Sequence, residues 1–287
     1  NASNPRIVRF EDCDYENPSE TCRTADRQRG AVYAQDVLTA LLDPYLVFVV
    51  GARLEGDSLF GSEAVPRVAV RFDPHETLIL RASAGQGYRA PTFKELYLRF
   101  DNPSVGYTVR GNDELTPEHS MSYQFGANWK LTPPLALHVN LFRNDIEDRI
   151  DFALVEAGTN GGLDRYQLVN ISSAYTQGVE TEVSFSMWPI VDLRLGYRFM
   201  DAYDESAGRP LSGRARDQFN GSVNLRDPRS GLSMVAMALW TGERPFYIQT
   251  GDDTVRREVA ASYLNLVLNL GWKINAHFGL NVRGENL

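Results

Sequence analysis

The stretch Met121-Ser122-Tyr123-Gln124-Phe125-Gly126-Ala127-Asn128-Trp129 decides the fold class. Successive side chains of an extended chain point to opposite sides, so Met121, Tyr123, Phe125, Ala127 and Trp129 share one face. Ser122, Gln124, Gly126 and Asn128 share the other. The same alternation returns in Val179, Thr181, Val183 and Phe185 against Glu180, Glu182, Ser184 and Ser186. It returns again in Val191, Leu193, Leu195, Tyr197 and Phe199 against Asp192, Arg194, Gly196 and Arg198. Over 219–225 and 264–270 the polar face is held by Asn220, Ser222, Asn224, Asn265 and Asn269. Each strand has one apolar face and one wet face.

Outward from these strands, two kinds of connection alternate. Short turns rich in Pro, Asp and Asn occur at 43–44, 73–76, 132–134, 188–190, 227–229 and 273–275. Long polar segments lie at 89–118, 153–172, 203–216 and 245–258. Counting up and down passes predicts about twelve strands, beginning near Arg29, Tyr45, Val65, Thr77, His119, Leu135, Ala174, Val191, Arg216, Leu232, Val259 and Phe278. The only helical expectation is a turn over 91–98.

An alternating pattern fits a soluble sandwich as well as a lipid-facing wall. Three features favour lipid. Many strands extend to the roughly 9–11 residues that a tilted spanning strand needs. Short turns on one rim and long loops on the other are the grammar of an outer-membrane barrel. Tyr33, Tyr45, Phe72, Trp129, Trp188, Trp272 and Phe278 lie near the short-turn ends as an interfacial girdle would, while Glu180, Glu182, Arg194, Arg198 and Arg283 are placed on a watery lumen face. The expected fold is therefore all-β, an antiparallel up-and-down transmembrane β-barrel.

Composition is consistent with this and excludes other classes. The 287 residues are 43% hydrophobic, and 29 basic against 37 acidic side chains leave a net charge of −8, the wrong sign for a nucleic-acid binder. The longest purely apolar runs, 45–50 and 234–240, fall far short of the 18 or more residues of a spanning helix. His75, His119, His138 and His277 form no metal-ligand pair, no catalytic constellation appears, and no cofactor is expected. Residues 1–28 read as a polar loop preceding the barrel part at 29–287. Within that loop Cys13 and Cys22 permit one intramolecular disulfide, with free thiols as the alternative.

Residues 81–97, Arg-Ala-Ser-Ala-Gly-Gln-Gly-Tyr-Arg-Ala-Pro-Thr-Phe-Lys-Glu-Leu-Tyr, resemble the strand-to-loop signature of TonB-dependent outer-membrane receptors. Residues 111–118, Gly-Asn-Asp-Glu-Leu-Thr-Pro-Glu, resemble that family's Asn-Pro-Asn-Leu-x-Pro-Glu box, with Asn-Asp-Glu-Leu in place of Asn-Pro-Asn-Leu. Further matches lie at 142–150, at 169–171 running to 178–180, and at 284–287, in family order. The resemblance implies a parent barrel of about 22 strands closed by a separate plug, of which this chain would supply roughly strands 10 to 21. It also implies that the plug, the preceding strands and the closing strand lie outside this sequence, that residues 1–28 are extracellular, and that the fragment alone transports nothing. Partners implied are the TonB energy-transducing complex, reached through the plug, and outer-membrane lipid and lipopolysaccharide.

Candidate ligand-binding residues lie in the long loops: Tyr97, Arg99, Tyr107 and Arg110; Arg209, Arg214 and Arg216; Phe246, Tyr247, Arg256 and Arg257. Guanidinium forks pair with anionic oxygens and stack on aromatic planes, which suits a ferric siderophore of the catecholate type or another anionic chelate. The alternative for each arginine is contact with lipopolysaccharide phosphates or with loop carboxylates. Haem-importing members carry an axial His between the two boxes, and 92–111 contain none. A ferric siderophore is the expected cargo, with cobalamin or another scarce nutrient second and a passive porin as the competing class.

Overall fold

The computed structural model describes residues 6–12, 23–39, 45–156, 158, 162–187, 190–249 and 255–286. Cys13, Cys22 and Trp188 lie outside the described residues. The strands, in chain order, are β1 (Arg6–Asp12), β2 (Arg23–Thr39), β3 (Leu46–Asp57), β4 (Gly61–His75) and β5 (Leu78–Arg89). A short helix α1 (Phe93–Tyr97) and two small strands, β6 (Arg99–Asn102) and β7 (Tyr107–Arg110), come next. Then come β8 (Glu118–Thr132), β9 (Leu135–Glu156), β10 (Asp164–Met187), β11 (Val191–Asp204), β12 (Arg209–Pro210), β13 (Asp217–Arg226) and β14 (Leu232–Thr241). The last are β15 (Arg244–Gln249), β16 (Val255–Ala260), β17 (Tyr263–Lys273) and β18 (Gly279–Glu285).

The wall is one antiparallel meander in the order β1-β2-β3-β4-β5-β8-β9-β10-β11-β13-β14-β17-β18. Its register sorts the faces. Phe125 stands opposite Leu141, which stands opposite Val179, then Phe199, while Gly126 stands opposite Asn140, then Glu180 and Arg198. The polar face is the lumen and the apolar face is outside. Leu54, Val68, Phe125, Leu141, Val183, Leu195, Phe219, Leu264 and Val282 all fall on the outer face and are all exposed. A single-layer wall has no second sheet to cover that face, so lipid is its solvent. Among the described residues no helix is long and apolar enough to cross a membrane.

Buried apolar side chains are found instead at the extracellular rim. Phe93, Leu96, Leu115, Ile150 and Leu168 form one cluster, and Ala174, Ala202 and Leu211 another. Both lie where loops fold back on strand ends.

Four sequence expectations need adjustment. β9 and β10 run for 22 and 24 residues, so pairing continues to Arg165 opposite Glu156 through the segment read as a loop at 153–172. Twenty-two residues at about 3.3 Å each span roughly 70 Å, more than twice the hydrocarbon thickness, so this ribbon stands far above the membrane. The strand expected from Val259 is interrupted: residues 255–260 pair with β15, and the wall resumes at Tyr263. Tyr33 is no girdle residue, because it stands opposite Arg53 on the lumen face. Arg6–Asp12, read within the loop 1–28, pairs antiparallel with Arg23–Arg29 of β2.

Candidate ligand-binding loops at the extracellular rim

The motif residues converge on a single knot at the rim. Arg89, ending β5, donates to Glu118, starting β8, with Nε to Oε2 at 2.6 Å, and to Glu95 of α1 at 2.8 Å. Thr92 caps α1 in a reciprocal box: its hydroxyl accepts from the Glu95 N–H, and its own N–H donates to the Glu95 carboxylate at 2.7 Å. Glu118 also accepts from the Ile150 N–H at 2.7 Å. Asn170 clamps two strands and the segment leading into β8, donating to the Thr116 and Asp148 carbonyls at 2.9 and 2.6 Å and accepting from the Thr116 N–H at 2.9 Å. Asp148 sits at a left-handed φ of 53°, a conformation that Asp tolerates better than most residues. Gly111 fits because a Cβ there would stand 2.6 Å from the Leu96 carbonyl and the Leu98 nitrogen.

Arg27 ties this knot to β2 and β3. It is 3% exposed, pairs with the buried Asp57, donates to the Pro91 carbonyl, and lies 5.0 Å from the Phe60 ring centroid. The boxes 81–97, 111–118 and 169–171 thus do structural work: they lock loop to wall.

Burial alone would push the Glu95 carboxyl up. The Thr92 N–H, the Arg89 guanidinium and the Thr92 hydroxyl outweigh it and hold that carboxyl below the ordinary glutamate range.

Above the knot, the predicted site residues separate into three groups. Tyr97 stacks on Phe93 at 6.1 Å and packs against the first apolar cluster. β7 pairs in parallel with Asp164–Gln167 of β10, which brings Tyr107 edge-on to Tyr166 at 6.3 Å, with Phe100 at 6.1 Å on its other side. Half-buried Arg110 pairs with Asp101 at 2.7 Å, whereas the exposed Arg99 side chain makes no ion pair or hydrogen bond among the described residues. Phe100, Arg165 and Tyr166 join this aromatic and cationic tip and were not among the sequence candidates. Only a parallel pairing across some fifty residues of chain assembles them, and no local pattern announces it.

In the second group Gly213 donates to the Pro245 carbonyl at 2.7 Å, docking the loop after β12 on the β15–β16 hairpin. Arg209 lies over the Tyr247 ring at 4.4 Å, a Cβ at Gly213 would stand 3.5 Å from the Phe246 ring, and Arg256 pairs with Glu258. In the third group Arg214, Arg216 and Arg257 line one cleft with Asp201, Tyr203, Asp217 and Trp240. By register those last four face outward. Among the described residues no group of three or more His, Cys, Asp or Glu could hold a metal ion.

A one-layer antiparallel wall, apolar outside, polar inside and elaborated at one rim, defines an outer-membrane β-barrel of the transporter type. The family model "TonB dependent receptor-like, beta-barrel" matches residues 4–287, and the chain belongs to that family, in the outer membrane. It is 29% identical over 228 residues to the vitamin B12 transporter BtuB of Vibrio vulnificus, covering 79% of this chain and 34% of that protein. It is 24% identical over 252 residues to the ferrienterobactin receptor of Escherichia coli, covering 83% of this chain and 34% of the relative. The ferric enterobactin receptor of Pseudomonas aeruginosa, solved in complex with enterobactin, superposes with a TM-score of 0.77 at 20% identity over 94% of this chain and 41% of that one. The siderophore receptor PirA of Acinetobacter baumannii gives 0.77 at 18% identity, with 98% and 46% covered. The chain spans about a third of the length of these curated relatives.

Proposed function

We propose that this chain forms part of the wall and extracellular mouth of a receptor that captures a ferric siderophore for TonB-energised import. The observation that carries the reading is the aromatic cluster in which Phe100, Tyr107 and Tyr166 meet on one face of the rim ribbon, whose opposite face carries Arg99, Arg110 and Arg165 by register. An aromatic face suits a flat, ring-bearing chelate, and the guanidinium groups at the same level add positive charge to the mouth for an anionic one. The rigid knot below holds that tip with little conformational entropy left to lose on binding. Nothing in this role requires covalent chemistry; the protein is a receptor and its residues bind.

Cobalamin is the second reading, favoured by the 29% identity to a vitamin B12 transporter. The two separate in one assay. A strain lacking the full-length protein is supplied with radiolabelled ferric catecholates, ferric hydroxamates and cobalamin in parallel. Loss of ferric catecholate uptake, restored by the wild type and reduced about tenfold or more by Tyr107→Ala with Arg99→Ala, is the expected result. Unchanged uptake of every ferric siderophore with loss of cobalamin uptake would transfer the assignment to the second reading.

A further inference from the structure

Arginine is spread unevenly over the lumen face. By register Tyr33, Arg53, Val65 and Arg67 share the lumen side of β2, β3 and β4, and Arg71 stands directly opposite Arg81 of β5 on that same side. Arg53, Arg67, Arg71 and Arg81 are all exposed. The strands that follow differ. β8 and β9 present Ser122, Gln124, Asn128 and Asn140 to the lumen, and β10 presents Glu180 and Glu182. Where β11 adds arginines, each has an acid at hand: Arg198 stands opposite Glu180, and Arg194 is 3.3 Å from Asp192.

The four arginines of β3, β4 and β5 form a ladder that descends toward the short-turn rim. Arg67 is two residues below Arg53 and one strand across, and the opposed pair Arg71 and Arg81 lies four residues below Arg67. With a rise of about 3.3 Å per residue and strands about 4.8 Å apart, the two steps are roughly 8 and 13 Å. Half of either step is shorter than the screening length of about 8 Å at physiological ionic strength, so the positive potential of one rung reaches the next.

Two rungs are uncommitted. Arg53 has Glu55 at 2.9 Å and Arg71 has Asp73 at 2.8 Å, whereas the Arg67 and Arg81 side chains make no ion pair or hydrogen bond among the described residues. Asp73, whose charge Arg81 also feels, is already held by Arg71. Arg67 stands between Gly51 and Gly85, so neither neighbouring strand crowds it from the same face; a Cβ at Gly85 would stand 3.3 Å from its Cγ. Like charges directly opposite destabilise a sheet, and the opposed Arg71 and Arg81 have only Asp73 between them to offset that.

We propose that β3, β4 and β5 form the anion track of the lumen: a negatively charged chelate released from the mouth descends along Arg53, Arg67, Arg71 and Arg81, away from Glu180 and Glu182 of β10. The inference rests on the anionic cargo proposed above. Several exposed sites of moderate strength suit passage better than one deep site, because each must receive the anion and also let it go. Arg67 and Arg81 then act on movement and not on capture, which belongs to the rim above them.

The test uses the full-length protein in a strain lacking it, with a panel of radiolabelled ferric catecholates. Binding to cells without energy reads capture, and uptake by energised cells reads passage. In Arg67→Gln/Arg81→Gln, binding should stay within about twofold of wild type while the maximal uptake rate falls about tenfold. Arg67→Lys/Arg81→Lys should keep most of the rate, because charge and not the planar fork guides the anion. The urea midpoint of the Gln variant should equal or exceed the wild-type value, since a like-charge pair has been removed. Arg67→Gln alone covers the case in which the double variant does not fold, and should lose part of the same rate. Wild-type uptake by a folded Gln variant would overturn the proposal, as would a loss that the Lys variant does not recover. A lowered urea midpoint with a wild-type rate would overturn it in favour of carboxylates elsewhere in the full-length protein as the partners of these guanidiniums. Binding of no ferric catecholate by the wild type would sink the cargo assignment and the track together; intact binding with undiminished uptake sinks the track alone.

Discussion

Arg27 shows how little a residue's surroundings can be read from its neighbours in sequence. It lies in a charged run, Asp26-Arg27-Gln28-Arg29, that reads as solvated rim. In the fold its side chain is 4% exposed and its partner Asp57 only 2%. Removing one member of a buried pair leaves an uncompensated charge, which costs about 3–5 kcal/mol. Arg27→Ala in the full-length protein should therefore lower the urea midpoint of barrel unfolding, read by the heat-dependent gel shift of folded barrels. A wild-type midpoint would show that Asp57 finds another partner, Arg29 at 3.2 Å being the nearest. Arg216 makes the converse point. It was legible as a loop arginine, but which side of the wall it would occupy was not, since that depends on the ring of Phe199 and on strand register.

Among elements, α1 with its flanking boxes is the best determined. A turn at 91–98 was expected from the sequence, and in the fold Thr92 and Glu95, three residues apart, form the capping box that starts it. The Arg89, Glu95 and Glu118 network makes the element pH-sensitive. The folded pKa of Glu95 lies below its unfolded value, so its contribution is present in full at neutral pH and is lost as pH falls below roughly 4.3, through the folded value. Amide protection across 92–98, taken relative to the intrinsic exchange rate at each pH, should thus fall between pH 6 and pH 3, and Glu95→Gln should flatten that dependence. Equal protection at both pH values would contradict the role given to this carboxylate. The β6–β7 hairpin was not legible, because it is stabilised by parallel pairing with a segment about 55 residues away. β14 is a further case. Met234, Val235, Ala236, Met237, Ala238, Leu239 and Trp240 are apolar on both faces, so only pairing with β13 and β17 assigns Trp240 to the outside.

For the whole molecule, the wall is open. Its path runs from β1 to β18 and, among the described residues, the two ends do not pair with each other. Each edge carries a row of unpaired backbone groups that a bilayer cannot solvate. This chain expressed alone should therefore fail to give the compact, heat-modifiable band of a closed barrel and should associate through its edges. Size-exclusion chromatography in detergent reads the outcome, and a monodisperse monomer with barrel-like mobility would refute it. Supplying the remaining strands in trans tests the same point from the other side.

The alternation of 121–129, repeated through the chain, was enough to establish strands, their approximate number and the lipid-facing side of most of them, while the boxes at 81–97 and 111–118 carried the family resemblance. A period of two is a local property, written in adjacent residues by the geometry of an extended backbone. Tertiary structure alone decided which rim residues meet: Tyr107 with Tyr166, Arg27 with Asp57 and Pro91, and Arg214, Arg216 and Arg257 around one cleft. Those meetings join positions far apart in the chain. They are set by register and loop packing, to which adjacent residues contribute no signal.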